Sequence, residues 1–212
     1  MKGVVYTCIT GGYDILQRPK RVENFDYICF TDREIEPVRP WQIRLIKYEP
    51  RIDREIKIKF HEYLPGYDYS IWVDGSIMIV AGLLRFTSSF LKSKKDMMLA
   101  RHPHRDCIYQ EAIACKEGAK DDPDIIDAMM DKYRGIGYPE NNGLYANGVL
   151  IRKHNQSVIK LMDIWWDEFI SGSKRDQLSL PVALWRHPVN IWPLRFEHTT
   201  ESIYFYWNKY HN

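Results

Sequence analysis

The sequence has no excess of charge of either sign. Its 212 residues include 30 Lys and Arg against 28 Asp and Glu, which gives a formal net charge of +2. Domains that bind nucleic acid normally carry a clear basic excess, so this balance argues against a nucleic-acid partner. It is still compatible with a local basic pocket.

Long hydrophobic runs are also missing. No stretch reaches the run of about 18 apolar residues that indicates a transmembrane helix. The N-terminal stretch, MKGVVYTCITGGYD, has one Lys and a short apolar run, which is not the pattern of a signal peptide. We therefore expect a cytoplasmic protein, with any membrane contact limited to a peripheral one at the inner membrane face.

Cysteine is scarce, and its spacing does not match the common metal and redox motifs. The four cysteines, Cys8, Cys29, Cys107 and Cys115, form no Cys-x-x-Cys pair. Cys8 and Cys29 lie inside apolar runs, where a free thiol behaves as a small hydrophobic side chain. We predict that all four are reduced, which suits the cytosol.

The segments that are present alternate between strand and helix. Apolar runs with turn residues at their ends predict strands at 3–10, 27–30, 42–46, 69–73, 96–100, 146–152 and 189–194. Periodicity and capping residues predict helices at 53–63, 83–92, 107–119, 122–135, 157–170 and 175–185. We expect Asp53 to cap the first helix and Pro181 to interrupt the last. This order predicts one α/β domain over residues 1–212, with a mixed, mostly parallel sheet flanked by helices.

Candidate site residues follow from the geometry of such sheets. Ligands bind beyond the carboxyl ends of the strands. This rule selects 10–14, Asp32, Asp74 and 101–106, because each follows a predicted strand. We expect these positions to lie along one edge of the sheet.

The stretch SIWVDGSIMIV, residues 70–80, admits two interpretations. Asp-Gly between apolar runs is the strongest short-range signal of a β-hairpin, because Gly adopts positive φ at no steric cost. Asp74 at a strand end, with Ser76 nearby, also offers oxygen ligands to Mg²⁺ or Mn²⁺, which often use one or two carboxylates with substrate phosphates and water. The spacing alone favours the hairpin.

Other charged residues have the same two kinds of interpretation. Arg54 and Lys57 lie three apart on a predicted helix and can point together, either to water or to phosphate groups. Arg105, in RHPHRD, offers a two-pronged contact to an anion. His102 and His104 in the same stretch are candidate zinc ligands.

Three further residues are ambiguous when taken singly. Asp32 either closes a turn or accepts hydrogen bonds from a ribose or a base. Asp176, in RDQ, either caps a helix or holds sugar hydroxyls and acts as a general base. His198 is a lone His after the last predicted strand and is structural unless it meets Asp74.

Six motifs in order carry a family resemblance. They are YTCITGGYD, DYICFTD, YDYSIWVDGSI, HPHRDCIYQEA, NNGLYANGVLIRKHN and RDQLSL. Over nearly the whole chain, from Val4 to Trp185, the sequence resembles the glycosyltransferase-like family that includes plant mucilage-related proteins and bacterial relatives near polysaccharide loci. It is more faintly similar to the family 8 glycosyltransferases. The resemblance implies the GT-A fold of nucleotide-sugar transferases.

The resemblance also implies roles in binding the donor. Thr7 and Tyr13 would flank the nucleotide, and Asp32 would lie near its base or ribose. Asp176 would act as a base only in an inverting enzyme. The donor sugar would be faced by Asn147, Gly148, Asp176 and Gln177.

The implied metal site departs from the family pattern. Asp74, Ser76 and His198 would hold Mn²⁺ or Mg²⁺, but the Asp-x-Asp of the family 8 glycosyltransferases is Asp-Gly-Ser here. A hydroxyl is a poorer ligand than a carboxylate. Without a firmly bound cation, the departing diphosphate would be stabilised by Arg54, Lys57 or Arg105.

The implied function is transfer of a sugar from a nucleotide-diphosphate sugar to a glycan or lipid-linked acceptor, in surface polysaccharide synthesis. Two alternatives remain open. One is a metal-dependent hydrolase that uses His102, His104 and Asp74. The other is a non-catalytic module that binds nucleotide sugars or glycans, which the presence of both RDQ and Asp74 makes the weaker candidate.

Overall fold

A computed structural model describes residues 1–207 of the chain. Its strands are β1 (Gly3–Ile9), β2 (Asp26–Thr31), β3 (Gln42–Leu45), β4 (Tyr69–Val73), β5 (Ile77–Ile79), β6 (Met97–Arg101), β7 (Tyr145–Lys153), β8 (Ile191–Leu194) and β9 (Phe205–Trp207). Its helices are α1 (Ile52–Ile58), α2 (Phe60–Tyr63), α3 (Leu83–Lys92), α4 (Ile108–Glu117), α5 (Pro123–Gly135), α6 (Gln156–Ile170), α7 (Asp176–Arg186) and α8 (Glu197–Thr200).

Seven strands form one sheet in the order β3-β2-β1-β4-β7-β6-β8. Within it, β7 runs antiparallel to its neighbours β4 and β6, and the other pairs are parallel. The prediction of a GT-A-like, mixed and mostly parallel sheet flanked by helices is confirmed. Because β7 is reversed, its first residues lie at the same edge as the last residues of β1 and β4.

The sheet is buried on both faces. All residues of β1 and β4 are buried, and successive side chains of a strand point to opposite faces. Tyr6 packs in one cluster with Trp165 of α6. Val5 packs in the other with Phe90 of α3. Burial on both faces explains why these strands read as continuous apolar runs.

The helix predicted over 53–63 is two helices, α1 and α2, separated at Lys59. The residue that precedes α1 is Arg51, with φ of 68°, so the predicted Asp53 cap is wrong. The guanidinium of Arg51 donates hydrogen bonds to backbone carbonyls at the C-terminal end of α6. This contact joins the start of α1 to the end of α6, which is far away in the sequence.

The predicted interruption near Pro181 is also wrong, because α7 continues through this residue. Proline removes one backbone hydrogen bond from a helix interior. The neighbours Leu178, Leu180, Val182 and Ala183 are all buried. Their packing outweighs the lost hydrogen bond.

The strands β4 and β5 do not form a hairpin. β5 pairs with β9 in a separate two-stranded sheet, and β4 lies between β1 and β7. Gly75 is not among the glycines with positive φ. It is needed for space instead, since a Cβ there would lie 2.8 Å from Oδ2 of Asp14 and 3.1 Å from Cγ1 of Ile9. Asp74 and Gly75 therefore lead the chain out of the sheet at its edge.

The cysteines agree with the sequence prediction. All four are free and buried. Burial raises the pKa of the Cys29 thiol to about 12, so this thiol is protonated at neutral pH. None of the helices within residues 1–207 has the length and apolar character needed to cross a bilayer.

Candidate active site

A cleft of about 730 Å³ opens at the edge of the sheet where β1 and β4 end and β7 begins. The loops after β1, β3, β4 and β6 line it, together with α1 and the start of α7. The predicted site residues that line the cleft are Tyr13, Arg54, Lys57, Asp74, Ser76, His102, His104, Asn147, Gly148, Asp176 and Gln177. The strand-end rule thus locates the cleft from sequence.

The centre of the cleft is an ionic cluster around a buried lysine. The Lys57 side chain is only 2% exposed, and its Nζ lies 2.8 Å from Oδ2 of Asp176 and 3.3 Å from Oδ1 of Asp74. Arg54, one turn earlier on α1, places its Nε 3.5 Å from the same Asp176 oxygen. Arg54 and Lys57 do point together, and the groups they face are carboxylates of the protein.

Asp74 is oriented by contacts from three directions. Its backbone N–H donates to the carbonyl of Gly148 at 2.8 Å. Its Oδ1 accepts hydrogen bonds from Nε1 of Trp72 at 2.6 Å and from Nζ of Lys57 at 3.3 Å. A Cβ at Gly148 would lie 2.8 Å from Cδ1 of Ile77, so glycine at this position lets β7 and β5 approach each other closely.

Asp176, the first residue of α7, is ionised by its surroundings. Burial raises the pKa of its carboxyl, but the nearby charges of Lys57 and Arg54 outweigh burial and hold this pKa at about 2. Burial lowers the pKa of Arg54, while Asp176, Asp53 and Asp74 raise it to above its ordinary value. Asp176 and Arg54 are therefore both charged throughout the physiological pH range.

Two oxygen atoms in this cluster have no hydrogen bond within residues 1–207. They are Oδ1 of Asn147 and Oδ2 of Asp176, the second of which is ion-paired but receives no well-directed hydrogen bond. The amide Nδ2 of Asn147 donates to the other oxygen of Asp176 at 3.4 Å. Buried acceptors without a donor are uncommon in folded proteins. Oδ1 of Asn147 is therefore the acceptor that a hydroxyl group of a ligand in the cleft would satisfy.

Exposed aromatic rings lie at the end of the cleft near β1 and β3. Tyr13 is 61% exposed and Tyr48 is 59% exposed, and both line the cleft. An accessible aromatic ring offers a face on which a nucleobase can stack. The motifs do not select Tyr48, although it follows β3 and the strand-end rule applies to it equally.

Two residues predicted to contact a nucleotide lie outside the cleft lining. Thr7 is buried within β1, below the cleft. Asp32 accepts hydrogen bonds from the backbone N–H of Gly11, 3.1 Å from each of its carboxylate oxygens. Asp32 therefore stabilises the loop that follows β1. This is the turn-stabilising role that the sequence allows for it.

Arg105 and His198 are also placed away from the cleft lining. The Nε of Arg105 lies 2.5 Å from Oε2 of the buried Glu111. This ion pair neutralises the positive charge of Arg105. His198 is exposed on α8 and does not line the cleft, so the fold does not bring it to Asp74.

The two histidines after β6 are arranged for hydrogen bonding. Nδ1 of His102 accepts hydrogen bonds from the backbone N–H groups of His104 and Arg105, and its Nε2 lies 3.7 Å from Oε2 of Glu111. Burial lowers the pKa of His102, and the negative charge of Glu111 acts in the opposite direction. In the described part of the chain, no three His, Cys, Asp or Glu side chains are grouped to hold a metal ion. This arrangement does not support a zinc hydrolase site.

Whether the cleft can hold a divalent cation depends on the substrate that binds with it. Asp74 and Ser76 line the cleft and offer a carboxylate and a hydroxyl. Asp53 also belongs to the central cluster, because it forms an ion pair with Arg54. The cluster then has two cations, Arg54 and Lys57, and three carboxylates, which leaves one negative charge. Such a set suits Mg²⁺ or Mn²⁺ when substrate phosphates and water complete the coordination shell.

The fold and the cleft define a glycosyltransferase-like domain. The family model described as "TOD1/MUCI70, glycosyltransferase-like domain" matches residues 32–198. The chain belongs to this family, as the motifs predict. It is 23% identical over 208 residues to "Probable hexosyltransferase MUCI70" of Arabidopsis thaliana, across 83% of this chain. The chain spans 36% of the length of that curated relative.

Proposed function

We propose that this chain is a glycosyltransferase that moves a hexosyl group from a nucleotide-diphosphate sugar to a glycan or lipid-linked acceptor. The observation that carries the proposal is the buried cluster of Lys57, Asp74 and Asp176, with an unsatisfied acceptor on Asn147 in the same cleft. The name of the plant relative, a hexosyltransferase, supports the same class of reaction.

The nucleotide would occupy the end of the cleft near β1 and β3. Tyr13 and Tyr48 offer aromatic faces to the base. The loop after β1, held by Asp32, supplies backbone groups beside them. In this arrangement Asp32 acts by ordering the loop and does not touch the nucleotide itself.

The diphosphate would lie beside Asp74 and Ser76, where the central cluster has one net negative charge. These two residues would hold Mg²⁺ or Mn²⁺, and the cation would neutralise the negative charge that develops on the leaving diphosphate. Lys57 orients Asp74 for this contact, because its ammonium group and the Trp72 indole both bind Oδ1 of Asp74.

The donor sugar would lie against the start of β7 and α7. Its hydroxyl groups would donate to Oδ1 of Asn147, which has no hydrogen bond within the described residues, and to the Asp176 carboxylate beside its ion pair with Lys57. Gln177 is oriented by Arg175, whose Nη2 donates to its Oε1 at 2.9 Å. Held in this way, the anomeric carbon meets the acceptor hydroxyl at short range, which is a large part of catalysis in bimolecular transfer.

The ionised state of Asp176 bears on its chemical role. A carboxylate with a pKa of about 2 accepts hydrogen bonds well and is a weak general base at neutral pH. We therefore infer that Asp176 positions the sugar and stabilises positive charge at the anomeric carbon. Four free cysteines suit the reducing cytoplasm, where the enzyme would contribute to surface polysaccharide synthesis.

A thermal-shift screen against nucleoside diphosphates and their sugars, with and without Mn²⁺, tests the proposal. A ligand at about 100 times its dissociation constant stabilises the folded state by about 2.7 kcal/mol, which corresponds to a rise of about 5–10 °C in a domain of this size. We expect such a rise with one nucleotide in the presence of Mn²⁺, and its loss in Asp74→Asn.

The control variant is Asp131→Asn, which removes a carboxylate that is 76% exposed on α5 and outside the cleft lining. It should retain the full shift. If no nucleotide or nucleotide sugar shifts the wild-type protein under either condition, the proposed function is wrong.

A further inference from the structure

We propose that the cleft contains a second subsite, formed by Arg175, Lys120 and His104, that binds an acidic group of the acceptor. This inference rests on the proposed function and extends it to the chemical class of the acceptor. The three residues line the same cleft as the central cluster. We call them the basic wall.

The cations of the cleft fall into two groups. Arg54 and Lys57 are paired with carboxylates, and Arg51 donates to backbone carbonyls at the end of α6. Within residues 1–207, Arg175 and Lys120 form no ion pair. Arg175 and Lys120 therefore remain available to a ligand on this wall, whereas the hydrogen bonds of the Arg51 guanidinium are directed to the end of α6.

Arg175 is the better defined member of this wall. Its Nη2 donates to the neutral amide of Gln177, and its buried Nε has no hydrogen-bond partner within the described residues. No carboxylate of the described residues lies within ion-pair distance of this half-buried guanidinium, and it interacts with Asp176 only at longer range, so its lost hydration is not fully compensated. An anion in the cleft would supply the missing charge and bind the guanidinium in its two-pronged geometry.

Neighbouring carboxylates do not neutralise the wall. Glu111 forms an ion pair with Arg105 and also lies beside His102. Asp121 forms an ion pair with Lys174, whose Nζ lies 3.6 Å from Oδ1, and accepts a hydrogen bond from Ser173. Asp176, next to Arg175 in the chain, is paired with Lys57 and Arg54 on α1.

The position of the wall separates it from the nucleotide end. In the sheet, β1 and β3 lie on one side of β4, while β7 and β6 lie on the other. Tyr13 and Tyr48 follow β1 and β3, and His104 follows β6. Asp176 and Asn147 lie between these two ends of the cleft. A group bound at the basic wall would thus approach the donor sugar from the side opposite to the nucleotide.

The ligand chemistry is a carboxylate or phosphate attached to a sugar. Two sources supply it: a uronic acid residue of a growing glycan, and the phosphate of a lipid-linked sugar. Both present oxygen pairs that match a guanidinium and an ammonium group. A neutral sugar would gain hydrogen bonds from this wall but no charge pairing, which is the stronger interaction.

Ligand-observed NMR titrations with galacturonic acid, glucose 1-phosphate and galactose test the inference and distinguish the two sources. We expect one acidic sugar to bind at least about tenfold more tightly than galactose, with or without a saturating nucleoside diphosphate. Lys120→Gln and Arg175→Gln should each weaken that binding by about tenfold, and Arg175→Lys should weaken it less.

Lys160→Gln is the matched control, since it removes one exposed positive charge from α6, outside the cleft lining. It should bind the acidic sugar as the wild type does. Thermal unfolding of each variant shows whether it is folded, and the exposed Lys120 keeps the test open if Arg175→Gln is not.

Three results would overturn the inference: equal binding of acidic and neutral sugars, unchanged binding in both Gln variants, or displacement of the acidic sugar by the nucleoside diphosphate. The last would assign the basic wall to the donor's phosphates. Because the titrations without nucleotide do not depend on donor binding, a failure here is distinct from the absence of any nucleotide shift.

Discussion

At the residue scale, the ammonium group of Lys57 lies between the carboxylates of Asp74 and Asp176 with almost no contact with water. Burying a charge is costly, and the cost is recovered only when the charge is paired and hydrogen-bonded. The Trp72 ring, 5.4 Å from Nζ, adds a cation–π contact. Lys57 therefore contributes both to the stability of the domain and to the positions of Asp74 and Asp176 in the cleft.

Lys57→Gln should be strongly destabilising, because it leaves Asp74 and Asp176 short of a counter-charge. We expect the free energy of unfolding to fall by about 3–5 kcal/mol, measured by urea denaturation. The control is Lys59→Gln, which removes a surface ion pair with Glu62 and should cost less than about 1 kcal/mol. Equal losses in the two variants would show that the buried cluster does not stabilise the fold.

Acid should weaken the contribution of Asp176 in a defined pH window. The pKa of its carboxyl is about 2 in the folded state against an ordinary value of 3.8. A lowered pKa stabilises the folded state above the unfolded pKa, and this stabilisation, about 2 kcal/mol here, is lost as the pH falls through the folded pKa.

The stability difference between wild type and Asp176→Asn should therefore be constant from about pH 7 to about pH 5 and shrink below about pH 4. Urea denaturation across this range measures it. Asp131→Asn, at an exposed position, should show no comparable trend. A difference for Asp176→Asn that stays flat down to about pH 3 would contradict the ionic role assigned to this residue.

At the element scale, the connection from β4 to β5 depends on the absence of a side chain at Gly75. A Cβ there would lie 2.9 Å from Cβ of Asp14 and 3.1 Å from Cγ1 of Ile9, which is closer than such atoms normally approach. The loop after β1 and the end of β4 can only meet at this distance when residue 75 is glycine.

Gly75→Ala should cost about 1–3 kcal/mol through overpacking, because the loop after β1 must move. It should also weaken nucleotide binding, which the thermal-shift assay reports. Gly135→Ala is the control, since a Cβ there meets nothing within 4 Å and Gly135 lies in α5. That variant should be neutral or slightly stabilised. Similar effects at both glycines would show that the close approach at Gly75 is unimportant.

Elements that follow from local pattern were predictable, and elements that depend on distant contacts were not. The apolar stripe of α6 is buried at Val158, Leu161, Trp165 and Phe169, as its helical spacing predicts. By contrast, the pairing of β5 with β9 joins segments far apart in sequence. Nothing in the Asp-Gly turn signal reports that pairing, which is why the spacing alone favours the hairpin.

At the scale of the whole molecule, one edge of the sheet collects most of the predicted site. The carboxyl ends of β1 and β4 and the start of the reversed β7 meet there, which brings Asp74, Asn147 and Asp176 into one cleft. The strand-end rule and the family motifs predicted these positions. They did not predict which side chains face each other, since Arg105 turns to Glu111 and Asp32 to Gly11.

The cleft is also divided by charge, with aromatic rings at one end, an ionic cluster in the middle and the basic wall at the other. Lys120 belongs to that wall only because the fold brings the end of α4 to the cleft. No spacing in the sequence marks Lys120. Its place depends on how α4 packs against α5 and α7, which is a property of the folded core.

The central claim is that the cluster around Asp176 and Lys57 acts on a nucleotide sugar, and donor hydrolysis tests it most directly. Purified protein incubated with a panel of nucleotide sugars and Mn²⁺, without acceptor, should slowly release the nucleoside diphosphate from one donor, as detected by mass spectrometry. Because Asp176 stabilises charge in the transition state, we expect Asp176→Asn to lower this rate by about a hundredfold and Asp131→Asn to leave it unchanged. Release from no donor, or equal release by both variants, would contradict the account.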